Sequence, residues 1–86
     1  MRSGLIIYVV GKEPPHWDVA LELMTVKKKA KVDLVEIITV NTGHFDIPDA
    51  WWSLLTRGMK QITCMMAEFS PAGNLTLTGR ELHLCG

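Results

Sequence analysis

Little in this chain points to a known chemistry. It has two cysteines, Cys64 and Cys85, far apart in sequence. That is too few for a disulfide framework or a structural zinc site. Nine basic and nine acidic residues cancel. A neutral chain gives no electrostatic reason to bind nucleic acid or an anionic membrane. Its longest apolar runs, "LIIYVV" (5–10) and Ile37–Ile38 with their neighbours, fall well short of the ~18 residues a membrane span requires. Gly4, Gly11, Gly43 and Gly58 form no G-x-G-x-x-G or Walker pattern, so no phosphate loop is present. Repeats, low-complexity segments and linkers are missing as well.

What remains is a small globular domain. Eighty-six residues suit one unit, 1–86. A chain of this size buries about 60% of its unfolded surface. A hydrophobic share of 48% is enough for a core and argues against disorder. The start, "MRSGLIIYVVGKE", has a basic residue and a short apolar run but lacks a small-residue cleavage site. The expectation is a cytoplasmic protein with free thiols.

"LIIYVV" is apolar on both faces and rich in β-formers, which predicts an interior strand ended by Gly11. "KEPPHWDVALELMTVKKKAK" predicts a helix with Pro14, Pro15 and Asp18 in its first turn. Trp17, Ala20, Leu21 and Met24 make its apolar stripe, widened by Leu23 and Val26, and Lys27–Lys29 suit its C-terminal end. "VDLVEIITV" (32–40) predicts a second strand, with Val32, Leu34, Ile38 and Val40 on one face. The spacing of the two strands fits a β-α-β crossover with parallel strands. "IPDAWWSLLTRG" predicts a short helix that buries Ala50, Trp51, Leu54 and Leu55 and puts Trp52 at the edge of that face. Residues 62–69 and the alternating "NLTLT" predict a hairpin around the turn Ser70-Pro71-Ala72-Gly73. The tail "TGRELHLCG" allows either a helix opened by a Thr78–Glu81 capping box or a fifth strand carrying Leu82 and Leu84.

This β-α-β-α-β-β order, a parallel pair followed by a hairpin, resembles the thioredoxin fold. "TCMMAEFSPAG" (63–73) looks like the thioredoxin-family strand of type T-P-x-x-x-F-x-x-P-x-G, and "IYVVGKEPPHWDVALEL" is similar to the clock protein KaiB, a thioredoxin-fold relative. The resemblance implies a small α/β domain with a mixed sheet and a final helix missing or truncated. It does not imply reductase activity. "EPPHWD" stands where the family carries C-x-x-C, and Cys64 stands where it carries its cis-proline. A ferredoxin-like β-α-β-β-α-β sandwich is the rival order.

Several residues are candidates for function. The fold analogy would put Cys64 near the start of the first helix, where the helix dipole and His16 could favour a thiolate. Alternatively it is an inert strand cysteine beside Ile62, Met65 and Met66. His16, Trp17, His44 and Asp46 fall in loops after parallel strands, where ligands of open α/β sheets usually sit. His83 and Cys85 supply too few ligands for a metal. No cofactor is implied. Three tryptophans are more than so small a core can hide, and Trp52 cannot face the same way as Trp51. Tryptophan is favoured at interface centres. The reading is therefore a non-catalytic, self-associating interaction module, most simply a homodimer, that binds neither nucleic acid nor membrane. The alternative is a thiol-dependent or small-ligand protein centred on Cys64.

Overall fold

The computed structural model describes residues 2–39 and 46–82. Its elements are β1 (Ser3–Val10), α1 (Val19–Ala30), β2 (Leu34–Ile38), α2 (Ile47–Thr56), β3 (Gln61–Phe69) and β4 (Leu75–Leu82). They form one four-stranded mixed sheet in the order β2-β1-β3-β4. β1 runs parallel to β2, as the crossover predicts, with Ile7 opposite Ile37. It also runs parallel to β3, with Ile6 opposite Cys64. The parallel set therefore has three strands rather than the expected pair. Among the described residues only β2 lies between the helices, so the ferredoxin-like order is not the one adopted.

β1 is the centre of the molecule because its side chains are apolar on both faces. Leu5, Ile7 and Val9 point into a cluster with Val26 of α1, Ile37 and Ala67. Ile6 points the other way, into a cluster with Ile38, Ala50, Leu54, Met59 and Cys64. The helices therefore lie on opposite faces of the sheet, and the molecule has three layers. Gly4 is placed where a side chain would not fit: a Cβ there would come within 2.9 Å of Leu54 Cδ1. β2 is anchored at its start by a reciprocal pair of bonds. The Ser3 amide donates to the Asp33 carboxylate at 2.8 Å, and the Asp33 amide donates to the Ser3 carbonyl at 2.9 Å. Val32 precedes this strand and packs with the α1 layer, not on the face of Leu34.

α1 departs furthest from the pattern. Pro14 and Pro15 precede it rather than filling its first turn. Asp18 is the N-cap, and its carboxylate accepts from the amides of Ala20 and Leu21 at 3.1 and 3.2 Å. Trp17 thus falls outside the helix. The side turned to the sheet carries Leu23 and Val26, while Val19 at the start of the helix is 46% exposed. Leu21 and Met24 are 62% and 70% exposed. The reason lies at the far end of each row. The row through Ala20, Leu21 and Met24 runs on into Lys27, Lys28 and Lys31, whose charges resist desolvation, whereas the other ends in Ala30.

α2 follows its pattern more closely. Asp46 caps it, and Asp46 and Asp49 form a capping box, with Pro48 in the first turn. Ala50 and Leu54 are buried and Trp51 packs beside them, but Leu55 is 40% exposed rather than buried. Gly58, at φ +86°, turns the chain so that Met59 folds under the helix and its amide reaches the Leu54 carbonyl at 3.1 Å. The Ser70–Gly73 turn closes as expected, the Gly73 amide donating to the Ser70 carbonyl at 2.8 Å. β4 then continues to Leu82, so the helix expected to open at Thr78 does not form. The fifth-strand alternative also fails through Leu82, because these residues extend β4 itself. A shift in register opposite Met65–Ala67 absorbs two extra residues on β4 as it passes Gly79. His83, Leu84 and Cys85 lie outside the described residues.

Candidate functional site

Three regions hold the residues singled out by sequence. The first lies beyond the carboxyl ends of the parallel strands. The loop from Gly11 to Asp18 leaves β1 here and meets the β3–β4 turn, with Pro14 beside Gly73. His16 is exposed and takes a left-handed backbone conformation, φ 66°. Trp17 is half-buried. Its ring meets Phe69 edge-on at 5.1 Å and 81°, and its indole N–H donates to the Glu22 carboxylate at 3.3 Å. The Thr39 hydroxyl donates to the Glu13 carboxylate and ties the end of β2 to this loop. A shallow groove runs past Pro14, His16, Trp17 and Asn74.

Trp17 is therefore a packing residue, its ring against Phe69 and its N–H bonded to Glu22. The helix N-termini are occupied too. Asp18 takes the first free amides of α1; Asp46 takes that of Ile47 at 2.8 Å, and Asp49 accepts from the Asp46 amide at 3.0 Å. Amides already held by the chain's own carboxylates are poor donors to an external anion. His44 lies outside the described residues.

The second region is Cys64. It is almost wholly buried, at mid-strand opposite Ile6, in the α2 layer among Ile38, Ala50 and Leu54. Burial pushes its thiol above the ordinary value. His16 and the start of α1 lie at the carboxyl end of β1, and α1 covers the opposite face. The fold thus separates Cys64 from the two features that would favour a thiolate. Among the described residues no group of three or more His, Cys, Asp or Glu side chains is placed to hold a metal ion.

The third region is the outer side of α2. Pro48, Trp52 and Leu55 are exposed at i, i+4 and i+7, and Trp52 is 63% exposed. Their position follows from the burial of Ala50 and Leu54 on the other side. At the helix end Arg57 reaches Glu36 of β2 at 2.8 Å and the Ser53 hydroxyl at 2.8 Å, which holds α2 against the sheet. Among the described residues, Val10, Met66 and Thr78 line a shallow depression on the same sheet face, towards the ends of β1 and β3.

Sequence reasoning missed the outer side of α1, where Leu21 and Met24 stand beside Lys27, Lys28 and Lys31. The signal was available: an apolar row that ends in lysines belongs at the surface.

No family model, curated protein or solved structure matches the chain. Among the described residues no helix is long and apolar enough to cross a membrane.

Proposed function

We propose that this chain is a non-catalytic protein-interaction module that self-associates. The observation that carries the reading is the apolar row Pro48–Trp52–Leu55 on the outside of α2, with a tryptophan more than half exposed at its centre. Such a row is costly to leave in water and is typical of an interface core. Near-zero net charge removes one barrier to close approach of like chains. The β-α-β-α-β-β order supports a thioredoxin-like frame for the module. The run of β3 parallel to β1 lies outside what that resemblance implied. The resemblance contributes no activity, and the burial of Cys64 in the α2 layer weighs against a thiol-dependent role.

The test is sedimentation velocity across a concentration series. Self-association should appear in the native chain, and Trp52→Ala should shift the profile towards monomer. A Trp52→Ala profile identical to the native one would count against the reading.

A further inference from the structure

Two exposed apolar rows among the described residues are complementary, and they lie on opposite faces of the sheet. On α1 the row reads Leu21, Met24, Lys28: two apolar residues, then a cation towards the C-terminal end. On α2, read backwards, it is Leu55, Trp52 and Pro48, with Asp49 at the edge of the row towards the N-terminal end, its carboxylate also accepting from the Asp46 amide. Spacings match within one residue. Leu21 to Met24 and Leu55 to Trp52 each rise about 4.5 Å; Met24 to Lys28 rises about 6 Å and Trp52 to Asp49 about 4.5 Å. Laid antiparallel, the apolar pairs meet and the charges of opposite sign fall together at the same end. The helix dipoles then also oppose favourably.

We propose that the α2 row of one copy packs on the α1 row of the next, so that the chain assembles head to tail. The proposal rests on the self-association reading and names its geometry. Two copies joined through Trp52 alone would place Asp49 against Asp49 or against apolar surface, leaving every lysine of α1 unused. The heterologous pairing puts both rows and both charges into one contact. Since α1 and α2 cover opposite faces of the sheet, each copy keeps one free row after pairing. Assembly therefore continues into a ring or an open series rather than stopping at a two-fold dimer.

The experiment compares the native chain, Trp52→Ala, Met24→Asp and an equimolar mixture of the two variants by sedimentation velocity. Both substitutions are at exposed positions, and circular dichroism verifies that each variant is folded. The native chain should grow beyond a dimer with concentration. Each variant alone should be monomeric. The mixture should give a single dimer, because Met24→Asp keeps an intact α2 row and Trp52→Ala an intact α1 row. Raising salt from about 0.05 M to about 0.5 M should weaken the native assembly about two- to fivefold. If Met24→Asp associates like the native chain while Trp52→Ala does not, the head-to-tail geometry is overturned and the self-association reading stands. A mixture that stays monomeric also overturns the geometry. A native chain that is monomeric throughout overturns both.

Discussion

Cys64 shows how far a residue's chemistry depends on its neighbours. Near a helix start and a histidine this thiol would be a candidate nucleophile; between Ile6, Leu54 and Ala50 it is a small apolar side chain. Burial raises its folded value above that of the unfolded chain. The folded state thus holds the thiol proton more tightly, and its contribution to stability is complete below the unfolded thiol range. As pH rises past about 8.5 the unfolded chain ionises first, and stability falls. Urea denaturation of the native chain between about pH 7 and pH 10 should show this decline, and Cys64→Ala should flatten it. Alkylation of Cys64 should follow the rate of opening, being slow in buffer and fast in denaturant. Rapid labelling of the folded chain at neutral pH would mean that the thiol is accessible. The inert strand cysteine beside Ile62, Met65 and Met66 was one of the two outcomes the sequence offered, and the burial of Cys64 agrees with it; which layer buries it was not legible, since a strand cysteine reads the same under either helix. Trp17 presents a similar case. Its ring and N–H are taken by Phe69 and Glu22, and one of those partners lies on a different element.

At the scale of elements, α1 gives the sharpest test. Its sequence carries two apolar rows, and only one can face the sheet. Val26 is in the buried row and Met24 in the exposed one. Val26→Asp would put a carboxylate into the apolar layer of Leu5, Ile7 and Ile37 and should cost about 3 kcal/mol or more. For a domain of this size that lowers the melting temperature by about 12–24 °C, or prevents folding. Met24→Asp should change stability by about 0.5 kcal/mol or less. Thermal unfolding followed by circular dichroism separates the two, and the reverse order would mean that the helix is rotated. The lysines that decide this rotation are visible in the sequence, as are the caps. Asp18 and Asp46 both precede apolar segments, and Asp49 stands three residues after Asp46 to complete the box. The end of β4 was less legible. "TGREL" contains a sound capping box, yet pairing with β3 wins because Met65 and Cys64 offer open backbone partners to Glu81 and Leu82. A local motif satisfies one or two amides, whereas a ladder satisfies the whole segment.

For the whole molecule, the order β2-β1-β3-β4 places β1 inside the sheet with a helix layer on either side. Its amides are bonded to neighbours on both edges and shielded on both faces. Hydrogen exchange should therefore be slowest in β1, at residues such as Ile6 and Ile7, and faster in β2 and β4, the edge strands. Exchange as slow in β4 as in β1 would indicate that its outer edge is covered. The same layering sends the two exposed rows in opposite directions, which makes a chain of contacts geometrically available and a symmetric pair wasteful of α1. This was beyond reach of a linear reading, because it depends on which side of the sheet each crossover passes.

Periodicity and polarity by themselves determined the element types as far as the start of β4, the parallel β1–β2 pair and the hairpin turn, and set Trp52 off the buried face of α2. These depend on neighbours within a few residues, or on one crossover, and the side chains encode them directly. Tertiary structure decided the third parallel strand, the continuation of β4 and the burial of Cys64. Each of these is settled by surface contributed from a distant part of the chain. The free energy of covering that surface outweighs any preference the local segment carries alone.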